Sequence, residues 1–295
     1  MRKLLIFGYG FSARALADQL RPQGWTIAAT SRDPDRLARM RADRIAAVDP
    51  ADRTALSSEL KTAQAILVTA PPGPGGCPGL NALVPALADA RAFPDWIGYL
   101  STTGVYGDRD GRWAFESSPL AARSPEAARR VSAERDWLDV GRGMGLTVQI
   151  FRLPGIYGPG RSALDRIADA SGRNIVKPGQ VFSRIHVDDI AGGLAASLAR
   201  PRPGGIYNLT DDEPAPSHVV NAWAARLLGL EPPALTVWDP DSLPPAARRF
   251  WSENKRVSNA LAKAELGWLP AFPTYREGLA AILEAQRHSQ KRKAD

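Results

Sequence analysis

Gly8, Gly10 and Ala13 stand in the spacing GxGxxA, directly after the apolar run KLLIF and at the start of FSARALADQL. Each position has a physical use. A glycine at 8 permits a tight turn, a glycine at 10 lets backbone approach a pyrophosphate, and alanine at 13 allows a helix to pack closely on its strand. The first helical turn, Phe11 and Ser12, offers the anion N–H groups that have no helical acceptor. About 20 residues past the glycines, where a carboxylate would hold the ribose hydroxyls of NAD, the chain has Ser31 and Arg32. A carboxylate there would repel a 2′-phosphate. A guanidinium bonds it bidentately, and Ser31 can donate a further bond. NADP(H) is therefore expected in preference to NAD(H). Asp49 either caps a helix or accepts from the adenine amino group.

Other residues could carry the reaction itself. Glu126 and Arg130 lie one helical turn apart in SPEAARRVSAE. Such a pair is a surface contact of about 0.2 to 0.5 kcal/mol, or else an ionised carboxylate able to act as a base beside a cation that cannot release a proton. Tyr106 and Tyr157 fall in loops at strand ends, where a phenol can donate to a substrate oxygen. Lys177 and Arg184, just before HVDD, are candidate anion binders for substrate. Asp188 and Asp189 are expected to cap the following helix. The three histidines and single cysteine are too scattered for a transition-metal site, and Cys77 has no base or cation near it in sequence.

The elements that position these residues alternate regularly. KLLIFGYG, WTIAATS, RIAAVD, AILVTAPP, WIGYLST and LTVQIFRLPG read as strands, separated by helical segments. That alternation implies α/β architecture, a doubly wound parallel sheet of Rossmann-like type, with ligands in the crevice outside the strand ends. Beyond residue 155 the rhythm loosens into irregular pieces and short helices, read as a smaller carboxyl-terminal substrate lobe. The expected division is a dinucleotide-binding domain over 1–160, with 183–210 returning to it. A substrate lobe takes 161–182 and 211–288, and a solvated tail 289–295.

The 295 residues are 44% hydrophobic with a net charge of +7, enough for well-buried cores. The positive excess is spread along the chain without a basic stripe and interleaved aromatics, so no nucleic-acid partner is expected. No run approaches the roughly 20 apolar residues of a membrane span, and one cysteine excludes an internal disulfide, pointing to the cytoplasm. A small-molecule substrate is the expected partner, with a homodimer as the candidate assembly.

Four stretches, YLSTTGVYG (99–107), FRLPGIYGPG (151–160), RIHVDDIAGGL (184–194) and KRVSNALAKAELGWLP (255–270), give the chain a resemblance to the extended short-chain dehydrogenase/reductases, the NAD-dependent epimerase/dehydratase group. The resemblance covers about residues 3 to 285. It implies an NAD(P)-dependent oxidoreductase or epimerase acting on a hydroxy or keto compound, including nucleotide-linked sugars. Thr102 would bond the reacting oxygen, Pro154 and Ile156 would line the nicotinamide, and Thr69, Ala70 and Pro71 would border the dinucleotide. The family's YxxxK pair falls on Glu126 and Arg130, so both usual residue types are absent, and the glycine motif is one residue shorter than GxxGxxG. Arg130 could still hold a ribose hydroxyl. The same loss leaves room for a different class of protein, a non-catalytic NADP(H)-binding sensor or scaffold.

Overall fold

The computed structural model describes residues 2–169, 174–242, 248 and 251–294. The chain opens with β1 (Arg2–Phe7), α1 (Phe11–Leu20), β2 (Trp25–Thr30), α2 (Pro34–Ala42), β3 (Ala46–Val48) and α3 (Arg53–Leu60). It continues through β4 (Ala65–Val68), α4 (Pro78–Ala90), β5 (Trp96–Thr102), the two-residue β6 (Trp113–Ala114), α5 (Pro125–Met144), β7 (Val148–Leu153) and β8 (Gly155–Tyr157). Then come α6 (Ala163–Ala168), β9 (Asn174–Val176), β10 (Arg184–His186), α7 (Val187–Ala199), β11 (Ile206–Asn208), α8 (Ser217–Leu228), β12 (Leu235–Val237) and β13 (Arg256–Val257). Helices Ala260–Leu266 and Tyr275–Ala294 close the chain.

Seven parallel strands form the central sheet in the order β11-β7-β5-β4-β1-β2-β3, the doubly wound arrangement. The strands read as continuous apolar runs because both faces are covered. In β1, Leu4 and Ile6 enter the core under α1 and α7, while Leu5 and Phe7 enter the opposite core under α4 and α5. The strand order reverses between β1 and β4, so their carboxyl ends open a crevice.

α5 is bounded as its sequence dictates. Ser124 accepts from the Ala127 N–H at 3.0 Å, Pro125 occupies the first turn, and Gly145 ends the helix with φ +66°. The segment Ile206–Asn208 adds the edge strand β11 beside β7. The remaining strands make two-stranded parallel pairs, β10 with β8, β12 with β9, and β13 with β6. Two outcomes differ from the sequence reading. β9 and β12 arise inside stretches expected to be irregular, since pairing with each other supplies hydrogen bonds that neither sequence advertises alone. The expected tail is helical as far as Ala294, a continuation of the last amphipathic helix.

Candidate active site

Two cavities lie along the carboxyl edge of the sheet. The first, of about 480 Å³, is lined by Gly8, Tyr9, Thr30, Ser31, Arg32 and Arg36, with Pro50, Ala51 and Ala70. Gly8 has φ +94°, and a Cβ there would meet Thr69 Oγ1 at 3.0 Å and the Ala70 nitrogen at 3.1 Å. Its N–H donates to Thr30 Oγ1 at 3.1 Å and its carbonyl accepts from Thr69 Oγ1 at 2.5 Å. Gly10 differs. A Cβ there would meet no protein atom within 4 Å, so packing alone does not require glycine. No side chain caps α1, whose amino end starts at that open space. Ala13 is fully buried beneath it.

Ser31 and Arg32 both line this cavity, and Arg36, one turn farther along α2, joins them. The sequence reading missed Arg36, although its i+4 spacing from Arg32 was visible. Ser31 Oγ accepts from the Asp33 N–H at 3.1 Å, so its hydroxyl is shared with the local turn. Asp49 is not in the lining. Its carboxylate accepts from the Ala51 N–H at 2.9 Å, and Asp52 caps α3 in its stead. Asp49 thus forms a local turn instead of capping α3.

The second cavity, of about 530 Å³, brings together Pro71, Thr102, Thr103, Glu126, Arg130 and Pro154 from the sheet side. Phe182, Ser183, Glu253 and Lys255 face them from the lobe. Thr102 Oγ1 accepts from the Gly104 N–H at 3.1 Å, which leaves its own hydroxyl proton for another acceptor. Arg130 donates to the Leu100 carbonyl and to Tyr99 Oη at 3.3 Å, with its guanidinium 5.7 Å from the Tyr99 ring centroid. Glu126 lines the cavity and pairs with Arg129 at 3.9 Å. Lys255 donates to the Gly107 carbonyl at 2.7 Å and to Glu253, and burial pulls its ammonium below the usual lysine range against the pull of Glu253.

Residues 79–210 match the family described as NAD dependent epimerase/dehydratase. Protein YeeZ of Escherichia coli K12 is 32% identical over 250 residues, spanning 79% of this chain and 86% of that protein. The chain belongs to this family. A conserved protein of unknown function from Silicibacter pomeroyi has a solved structure 45% identical to it, with a TM-score of 0.89 over 97% of this chain and 99% of that one. A 3-diazoavenalumate denitrifying reductase from a Streptomyces species is 26% identical over 95% of this chain and 99% of its own length.

Measured against the epimerase/dehydratase frame, several expected groups lie elsewhere. Tyr106 is fully buried and does not reach the cavity: its hydroxyl donates to Asn208 Oδ1 at 2.7 Å and accepts from Arg152 Nη1 at 3.0 Å. Arg152 in turn makes a buried two-pronged pair with Glu134, at 2.7 Å from Nη2 and 3.1 Å from Nε, and Ser101 donates to the same carboxylate. This network ties β5, α5 and β7 together beneath the site. Tyr157 is also buried, edge-on to His186 at 5.2 Å, and its hydroxyl has no partner among the described residues. Burial raises the pKa of both phenols, the wrong direction for proton transfer near neutrality.

Ile156 packs into the core beside α1, while Pro154 and Gly155 line the cavity. Lys177 donates to the Trp251 carbonyl at 2.6 Å and lies over the Trp238 ring. Arg184 donates to the Phe182 and Ala215 carbonyls at 2.8 and 2.9 Å. Both cations hold the lobe together instead of facing the cavity. Asp189 accepts from the Ala271 and Phe272 N–H groups, at 2.6 and 3.2 Å, and His186 caps α7. The charged residues in the lobe wall are Glu253 and Lys255, which lie at and just before the KRVSN stretch and were not singled out.

Among the described residues no group of His, Cys, Asp or Glu is arranged to hold a metal ion, and no helix is long and apolar enough to cross a membrane.

Proposed function

We propose that this chain is an NADP(H)-dependent oxidoreductase acting on a small hydroxy or keto compound, with Thr102 bonded to the reacting oxygen. The observation that carries the reading is the pair of cavities in line along one sheet edge, the first bounded by Gly8 and two arginines, the second by Thr102 and Pro154. The residues fit the cofactor. The open space at Gly10 and the uncapped end of α1 suit a pyrophosphate. Among the described residues neither the Arg32 nor the Arg36 guanidinium forms an ion pair, and both line the first cavity, which suits them to a 2′-phosphate.

Bound there, the cofactor supplies hydride exchange at its nicotinamide ring. Arg130, fixed against the Leu100 carbonyl, supplies positive charge at the cavity floor. Thr102, accepting from the Gly104 N–H, keeps its hydroxyl proton for a substrate oxygen. Pro71, Pro154 and Phe182 exclude water from the reacting centre.

Fluorescence titration tests the cofactor half. NADPH is expected to bind roughly 10- to 150-fold more tightly than NADH, the ratio for a charge-assisted bond, and Arg32→Gln to remove most of that ratio. Equal affinities in the wild type would refute it. Thr102→Val, with NADPH affinity retained, is expected to lower turnover of a reducible carbonyl compound by about 100-fold or more.

A further inference from the structure

The cavity that receives the substrate has four ionic side chains in its wall, Glu126, Arg130, Glu253 and Lys255, whose formal charges sum to zero. Two of them form a half-buried pair: the side chains of Lys255 and Glu253 are 12% and 17% exposed. So little exposure leaves their field poorly screened by salt. Two of the three Lys255 N–H groups are taken, by Gly107 and by Glu253; the third has no acceptor among the described residues, and Lys255 lines the cavity. Gly107 is the carboxyl end of the short 3₁₀ turn Thr103–Tyr106 that Thr102 begins. Thr102 and Lys255 thus hold opposite ends of one turn, a separation suited to two different oxygens of one small molecule. Phe182, Val181 and Val257 give the lobe wall an apolar face.

A lone ammonium would recruit a carboxylate. An ammonium already neutralised by Glu253 does not, because an incoming anion meets the Glu253 charge at nearly the same distance. Such a pair still donates to an uncharged oxygen. We infer that Lys255 and Glu253 are the specificity-determining pair of this site: the third Lys255 N–H holds a second, uncharged oxygen of the substrate, and Glu253 rejects anionic analogues. This rests on the oxidoreductase reading above and deepens it by naming an uncharged substrate that carries an oxygen function apart from the reacting carbonyl. The other charged groups acting on Lys255 are Asp108, which favours its charge, and Arg109, which opposes it.

Methyl benzoylformate and benzoylformate test the inference, since they share a ring and a ketone and differ by one charge. Binding to the NADP⁺-loaded protein is read by saturation-transfer NMR and tryptophan quenching, and turnover with NADPH is followed in parallel. The wild type is expected to bind the ester at least tenfold more tightly than the acid. Glu253→Gln is expected to strengthen benzoylformate binding at least tenfold with little effect on the ester. Lys255→Met is expected to weaken the ester several-fold without gaining the acid, and NADPH affinity stays unchanged in both variants. A wild type that prefers the acid, a Glu253→Gln variant with an unaltered ratio, or failure of the ester to bind while NADPH binds would each overturn the inference. Failure of NADPH itself to bind would instead defeat the cofactor reading.

Discussion

Tyr157 carries a hydroxyl that touches nothing polar among the described residues, and its ring packs against the closing helix, where a Cβ on Gly278 would meet that oxygen at 2.1 Å. A buried hydroxyl without a partner stabilises nothing, so Tyr157→Phe is expected to unfold at the wild-type temperature or above it and to bind NADPH normally. Tyr106→Phe removes a bond from both Asn208 and Arg152, and is expected to cost about 1 to 3 kcal/mol. Thermal and denaturant unfolding of the two variants separates the cases. From sequence the two tyrosines look alike, each following a strand, because nothing in a tyrosine codon tells crevice from core. The 3₁₀ turn after β5 decides for Tyr106 by rotating its ring inward. Thr102, which begins that turn, is legible because its place in the motif fixes it at the strand end.

The proposed cofactor site rests on the glycine elbow and α1. Gly10 has φ −96° and ψ −163°, an extended conformation open to any residue, and a Cβ there meets no protein atom. Gly10→Val is therefore expected to fold with unchanged stability and to lose at least tenfold in NADPH affinity. A variant that keeps its affinity would show that no ligand occupies that space. The strand, elbow and helix are legible in the sequence because apolar periodicity and glycine spacing are local signals. The lobe wall is not. β13 and β6 are two residues each, too short for any periodicity, and they meet only through pairing of Arg256 with Trp113 and Val257 with Ala114. Glu253 and Lys255 flank Asn254, whose carbonyl accepts from the Arg109 and Gly111 N–H groups beside that pairing, so residues that line the cavity look like surface charges in the sequence. Helix α5 lies between these extremes: its cap and length are legible, but the reach of Arg130 back to Leu100 depends on how it packs on β5.

Across the whole molecule, Asp189 on α7 fastens the segment before the last helix by accepting from Ala271 and Phe272. Burial, reinforced by Asp188 and Asp212, pushes its carboxyl from 3.8 up to about 6 against those two donors. A folded-state pKa raised above the unfolded one contributes stability at pH values below about 4 and loses it as pH rises through 6. The loss attributable to this group is roughly 3 kcal/mol. Asp189→Asn, which stays neutral, is expected to flatten the fall in unfolding free energy between pH 4 and 6.5 by a comparable amount. Urea titrations at those two pH values measure it; an unchanged slope would mean that the charge is better solvated than its surroundings suggest.

Residues 256 and 257 close onto residues 113 and 114, so the two cavities draw on very different lengths of chain. The lining of the first comes from residues 7 to 82, although α1, which follows its glycine elbow, shares a core with α7. The lining of the second runs from residue 71 to residue 257, so the wall proposed to discriminate among substrates is assembled across most of the sequence.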